Sequence, residues 1–176
     1  MPWIENVAAT NISSGFHYAA GPNSMLISII DPEGRRPQAQ QYFKERHDFE
    51  FLDAEDGDAV PEQHKISQAQ AQEIVQLLKH ALDNRMNVVV HCTAGICRSG
   101  AVVEIGVMLG FTDTEKFRSP NLRVKHQMMK SLGWTYEADE THSVNGVALT
   151  EDWTNNNEKV FILAAERRKR RQQGNT

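Results

Sequence analysis

Cys92 and Cys97 lie five positions apart, and Arg98 and Ser99 follow the second directly. A thiol, a guanidinium, a hydroxyl and a glycine within ten residues can do chemistry on an anion. The full run is His91-Cys92-Thr93-Ala94-Gly95-Ile96-Cys97-Arg98-Ser99-Gly100, and it comes straight after Val88-Val89-Val90. A β-branched run of that length, bounded by Asn87 and a glycine-containing turn, reads as a buried parallel strand. The small and apolar stretch from Ser99 to Leu109 reads as a buried helix. Cys92 therefore stands where a strand ends, and Arg98 and Ser99 open a helix. A helix N-terminus carries about half a positive charge and donors without intrahelical partners. Consecutive loop N–H groups can curl into an anion-binding nest, and arginine adds a fork of donors matched to a tetrahedral oxyanion. Surroundings of this kind favour the thiolate, the nucleophilic form of cysteine. The same ten residues supply a nucleophile and a cradle for its target.

The string His91-Cys92-x-Ala94-Gly95-x-x-Arg98-Ser99 resembles the signature loop of the cysteine-dependent protein tyrosine phosphatases, and a strand-to-helix setting is the context such a motif needs. The resemblance implies that Cys92, Arg98 and Ser99 are catalytic. Thr93, Ala94, Gly95, Ile96, Cys97 and Arg98 would then line the phosphate, with Ser99 assisting the leaving thiolate. It also implies a structural role for His91. The competing reading is an inert cysteine in a strand-to-helix turn, which has no need of Gly, Arg and Ser at these offsets.

The elements that must position the loop are legible around it. Met25–Ile30 is a strand ended by Asp31-Pro32-Glu33-Gly34. Phe49-Glu50-Phe51 alternates as a second strand, with His47 in the same register. Ser67 reads as the N-cap of a helix running to about Asn84, with an apolar stripe of Ile74, Val75, Leu77, Leu78, Ala81 and Leu82. A strand over Asn87–Val90 precedes the loop, and Gly110 is placed to end the helix after it. A further helix is expected over Asn121–Leu132, ending at Gly133. Beyond it, a hairpin around Asn145-Gly146 and a C-terminal helix over Glu158–Arg171 are expected. Strands alternating with helices predict an α/β fold: a single domain with a central, mostly parallel sheet flanked by helices and the phosphate-binding loop between a strand and a helix. Anion sites in such sheets lie at the carboxyl ends of strands. The expected domain covers 1–176, with 172–176 as a disordered tail.

Ile27-Ser28-Ile29-x-Asp31-Pro32, Phe49-x-Phe51-x-Asp53, and Pro120-Asn121 followed by Leu132-Gly133 are similar to segments of small bacterial and phage phosphatases of the dual-specificity type. That likeness spans residues 25–133. It implies a general acid upstream of Cys92, just after a strand, to protonate the leaving oxygen. The candidates are Asp53, Asp56 and Asp58. Phe49 and Phe51 place the apolar side on odd positions, and Asp53 follows at the strand end. Choosing Asp56 would turn Glu50, Leu52 and Ala54 inward and bury a carboxylate. Asp53 is the preferred acid. Its separation of 39 positions from Cys92 is long and keeps Asp56 as the alternative, with Asp58 last.

Cys97 departs from the dual-specificity pattern and resembles, in this one respect, the loop of low-molecular-weight tyrosine phosphatases. It is the redox candidate: a disulfide with Cys92 would block the nucleophile and shield it from irreversible oxidation. The alternative is a small residue packed under the loop. The chain order differs from that second family, because 91 residues precede Cys92. The remaining histidines, His17, His47, His64, His80, His126 and His142, show no metal-ligand spacing, and neither metal nor cofactor is expected. The basic run Arg167-Arg168-Lys169-Arg170-Arg171 reads as a solvated helix end that complements the helix dipole. Trp134, Tyr136 and Trp153 could wall the site or pack the C-terminal segment.

Composition sets the outer bounds. The chain has 176 residues, 40% hydrophobic and 24% charged, with a formal net charge of −4. That balance supplies no bulk drive toward nucleic acid or anionic membrane. No membrane span or signal peptide is read, and two cysteines in one loop do not form a secreted framework, so a cytoplasmic location is expected. The expected activity is hydrolysis of phosphotyrosine, with phosphoserine and phosphothreonine also considered, in a phosphorylated protein or peptide. Uncharged Thr93, Ala94 and Ile96 disfavour highly phosphorylated inositol lipids. Two alternatives stay open: a non-catalytic phosphate-binding pseudophosphatase, and an arsenate-reductase-like or sulfur-transferring enzyme using Cys92 and Cys97.

Overall fold

Residues 1–14 and 20–134 are described in the computed structural model and fall in the first of two units, Met1–Trp134 and Thr135–Thr176. The expected hairpin at Asn145-Gly146, the helix over Glu158–Arg171 with its basic run, Tyr136, Trp153, His17, His142 and the tail 172–176 lie outside the described residues. The expectation of one domain reaching residue 176 extends beyond them too.

Five strands form one sheet in the order β3-β2-β4-β1-β5, every pair parallel. They are β1 (Trp3–Ala8), β2 (Ser24–Ile30), β3 (Glu45–Glu50), β4 (Asn87–Cys92) and the two-residue β5 (Thr112–Asp113). Among the described residues, four α-helices accompany them: α1 (Ala9–Ser14), α2 (Gln68–Asp83), α3 (Arg98–Leu109) and, after the last strand, α4 (Leu122–Ser131). This is the expected α/β architecture. Strand β4 lies at the centre, buried on both faces, which is why Val88, Val89 and Val90 are apolar without alternation.

Pairing in register gives each face a defined set of side chains. Ile4, Val88 and Met25 align across three strands, as do Asn6, Val90 and Ile27. Helix α3 packs on this face so closely that a Cβ on Gly106 would come within 2.5 Å of Ile4 Cδ1, so only glycine serves there. Helix α2 turns its buried Ile74, Val75, Leu78 and Ala81 inward, and α2 and α4 contact each other. On the opposite face Val7, Leu26 and Val89 form a cluster with Ile12 of α1 and Phe43.

The helix ends follow the sequence closely. Ser67 caps α2 in a reciprocal capping box with Gln70, Gly110 ends α3 at φ 125°, and Asn121 caps α4. The strands differ more. β1 was not anticipated, because Trp3–Ala8 mixes Glu5 and Asn6 with apolar residues, and both polar side chains are buried. β4 runs on through His91 to Cys92. β3 begins four residues before Phe49 and ends at Glu50, so Phe51 and Asp53 lie beyond it. His47 does share the Phe49 side, pairing with Ile27 as Phe49 pairs with Ile29.

Behind α3 lies a buried ionic cluster. Arg118 donates Nε to Glu104 Oε2 at 2.7 Å and Nη2 to Asp113 Oδ2 at 2.6 Å. Glu104 is only 3% exposed, so Arg118 is the charge that makes its burial tolerable. The cluster pins the chain between β5 and α4 behind the Cys92 loop.

Candidate active site

The loop 93–97 leaves the carboxyl end of β4 and enters α3, and the protein turns its carbonyls outward. Thr93 O accepts from Ala9 N at 3.3 Å, Ile96 O from Ser119 N at 3.1 Å, and Cys97 O from Asn121 N at 2.9 Å. Gly95 O accepts from Asn6 Nδ2 at 2.7 Å. In a trans peptide the next N–H points opposite to the carbonyl. The N–H groups of Ala94, Ile96, Cys97 and Arg98 are therefore directed to the inner side of the loop, as an anion nest requires. Gly95 makes this curl feasible. Its φ is 71°, and a Cβ there would fall 2.2 Å from the carbonyl carbon of Val7.

Within the loop, Cys92 is 2% exposed, and its Sγ lies 3.1 Å from Ser99 Oγ, itself fully buried. Cys92 and Cys97 are not joined in a disulfide; Cys92 is buried and Cys97 half-buried at the N-cap of α3. Arg98 is 4% exposed. Its Nη1 donates to Asp31 Oδ1 at 2.5 Å and to Phe51 O at 2.8 Å, and its Nη2 donates to Thr93 Oγ1 at 3.1 Å. Its Nε is buried with no acceptor among the described residues. A buried guanidinium with an open donor costs stability unless an acceptor arrives.

The three acid candidates occupy different settings. Asp53 is half-buried and accepts from Asn121 Nδ2 at 2.8 Å, and the backbone of that same Asn121 holds Cys97 O. Asp56 is exposed and ion-paired with Arg123 at 2.8 Å. Asp58 accepts the Glu55 N–H at 2.8 Å, a local turn contact. For Asp53 a single residue, Asn121, bridges the carboxylate to the loop. Strand alternation does not reach Asp53, since β3 has already ended at Glu50.

His91 lies on the face of β4 opposite Cys92, aligned with Val7 and Ser28. It is 1% exposed, and neither ring nitrogen has a hydrogen-bond partner of good geometry among the described residues. Burial pushes its pKa down to about 4, so the ring is neutral. Trp134 N donates to Met129 O and closes the end of α4. No cluster of three metal-binding side chains occurs among the described residues, and none of their helices is long and apolar enough to cross a membrane.

Four residues that hold this site were not singled out from sequence as doing so: Asp31, Asn6, Ser119 and Asn121. Asp31 and Asn121 stood inside segments noted for their resemblance, which was the available signal. Asn6 and Ser119 act on loop carbonyls from distant parts of the chain, and no local pattern marks them.

A family model described as "Polymorphic toxin system, DSP-PTPase phosphatase" matches residues 52–109. That span runs from just before Asp53 to the end of α3. No curated protein sequence matches the chain. Among solved structures, human tyrosine phosphatase-like serine/threonine/tyrosine-interacting protein superposes with a TM-score of 0.53 at 18% identity, covering 76% of this chain and 93% of that one. Human DUSP28 gives a TM-score of 0.45 at 15% identity, covering 79% and 85%. At such identity the first likeness establishes the fold. The matched segment, which holds Asp53 and the Cys92–Ser99 loop, is similar to the dual-specificity-type phosphatase domain that the family model describes.

Proposed function

We propose that the protein is a phosphoprotein phosphatase that hydrolyses phosphotyrosine, and phosphoserine or phosphothreonine where the pocket admits them, through a phosphocysteine intermediate. The observation that carries the reading is the buried Arg98, on the same loop as Cys92, with no acceptor for its Nε among the described residues. In the first step the Cys92 thiolate attacks phosphorus and the P–O bond to the leaving group breaks. Arg98 and the inward N–H groups bind the equatorial oxygens, where charge is held in the transition state. Asp53 gives its proton to the leaving oxygen. In the second step Asp53, now a carboxylate, takes a proton from water as that water attacks phosphorus and the S–P bond breaks. Ser99 Oγ, 3.1 Å from sulfur, donates a hydrogen bond to the departing thiolate. The free thiol this needs fits a reducing, cytoplasmic setting.

A pseudophosphatase reading is less supported, because Cys92, Arg98 and Asp53 are all present around one loop. Sulfur or arsenate chemistry would be identified by its product. The test is turnover of p-nitrophenyl phosphate and of phosphotyrosine and phosphoserine peptides in the presence of EDTA. The wild type should release phosphate, and Cys92→Ser should fall to the background rate while still binding tungstate. Near-native turnover by Cys92→Ser would exclude the covalent route.

A further inference from the structure

The acid segment and the phosphate loop are far apart in sequence, and one side chain joins them. Asn121 is fully buried. Its backbone N–H donates to Cys97 O at 2.9 Å. Its Oδ1 accepts the Val124 N–H at 3.0 Å, the N-cap bond of α4. Because that N–H can only donate, the atom facing it is the oxygen, which leaves the amide nitrogen facing the acid segment. Nδ2 donates to Asp53 Oδ1 at 2.8 Å and to Ala54 O at 3.2 Å.

We propose that Asn121 is the positioning residue for the general acid, holding Asp53 against the phosphate loop. The proposal rests on the reading of Asp53 as that acid. A donor bonded to Oδ1 fixes that oxygen toward Asn121 and favours the carboxylate there. The neighbouring backbone is held as well. Glu55 accepts the first N–H groups of α4, from Leu122 at 3.1 Å and Arg123 at 3.2 Å. On the other side of Asp53, Phe51 O is held by Arg98. The acid is thus bracketed between α3 and α4 before any substrate arrives, and general acid catalysis gains from such preorganisation.

Among the described residues, the charged groups in contact with this segment are Glu55, Asp56 and Asp58 on the segment itself, Glu62 and Lys65 after it, Arg98 of α3 and Arg123 of α4. Arg123 is engaged by Asp56 and Glu62, and Arg98 by Asp31. The Asn121 amide is the neutral donor among them, and replacing it by a carboxylate changes the local charge in a defined direction.

Two variants keep an acceptor for the α4 cap. Asn121→Asp sets a carboxylate against Asp53, so the alkaline limb of kcat/KM for phenyl phosphate should move up by about one pH unit or more. Asn121→Ser cannot reach Asp53. It should lose roughly ten- to a hundredfold in kcat on phenyl phosphate, a poor leaving group, and far less on p-nitrophenyl phosphate. In an Asp53→Asn background Asn121→Ser should cost nothing further on phenyl phosphate. In the wild type, the Asn121 side-chain amide resonance should titrate with Asp53, and it should not in Asp53→Asn. That last readout does not depend on either variant folding. Equal losses on both substrates with an unmoved alkaline limb and a non-titrating amide would make Asn121 a helix cap only. If Asp53→Asn itself lacks leaving-group dependence, the acid assignment fails first, and this proposal with it.

Discussion

Arg98 concentrates the demands of the site in one side chain. Its Nη1 is taken by Asp31 and Phe51 and its Nη2 by Thr93, so the guanidinium plane is set before an anion enters. A lysine keeps the charge and loses the fork. Arg98→Lys should lower kcat/KM by about a hundredfold or more, and wild-type kinetics would remove Arg98 from the proposed mechanism. Cys97 poses a separate question. Peroxide should oxidise the Cys92 thiolate to a sulfenic acid, and the Cys97 thiol should then displace its hydroxyl as water and form a disulfide. Activity lost to mild peroxide should return with dithiothreitol in the wild type and return less in Cys97→Ser. Equal recovery, with no mass loss of two hydrogens across the peptide holding both cysteines, would leave Cys97 a packing residue.

The loop between β4 and α3 is an element shaped from outside. Four of its carbonyls are held by α1, β1 and the 118–121 segment, and Gly95 lies against the backbone of Val7 and Ala8. Gly95→Ala meets two penalties. A non-glycine residue at positive φ costs on the order of 1 kcal/mol, and the added methyl must displace β1 or the loop. The expected result is a lower melting temperature together with at least tenfold weaker tungstate binding. Melting and binding both at wild-type levels would mean the loop does not sit against β1 as described.

At the scale of the whole molecule, His91 links stability to pH. The unfolded chain protonates this ring near its ordinary value of 6.5, whereas the folded protein resists protonation down to about 4 because the ring is buried. The unfolded state therefore binds more protons across that window, and stability falls as pH drops through it. Between pH 7 and 5 the loss from this group is about 2 kcal/mol. Urea unfolding at both pH values should show that difference in the wild type and a smaller one in His91→Gln. Identical differences would show that another group carries the effect.

The local features were legible in the sequence because their causes are local. Ser67 announces α2, Val88-Val89-Val90 announces a central strand, and the offsets from Cys92 to Ser99 announce a loop at a helix start. Asp53 was selected from sequence, and the structure sets it beside the loop, but by a different cause: Asn121, 68 positions later, rather than strand alternation. The ends of β3 could not be read because four of its six residues, Glu45–Asp48, are polar at a sheet edge. β1 was hidden in the same way, since Glu5 and Asn6 are polar residues buried for their contacts with Lys116 and with the Gly95 and Phe117 carbonyls. Periodicity reports which side chains leave water, and it does so well for apolar faces. It does not report where a buried amide or carboxylate finds its partner, because that partner is chosen by the chain's closure in space. The thiols, the arginine and the loop that joins them are written in ten consecutive residues; the residues that hold that loop come together only in the folded molecule.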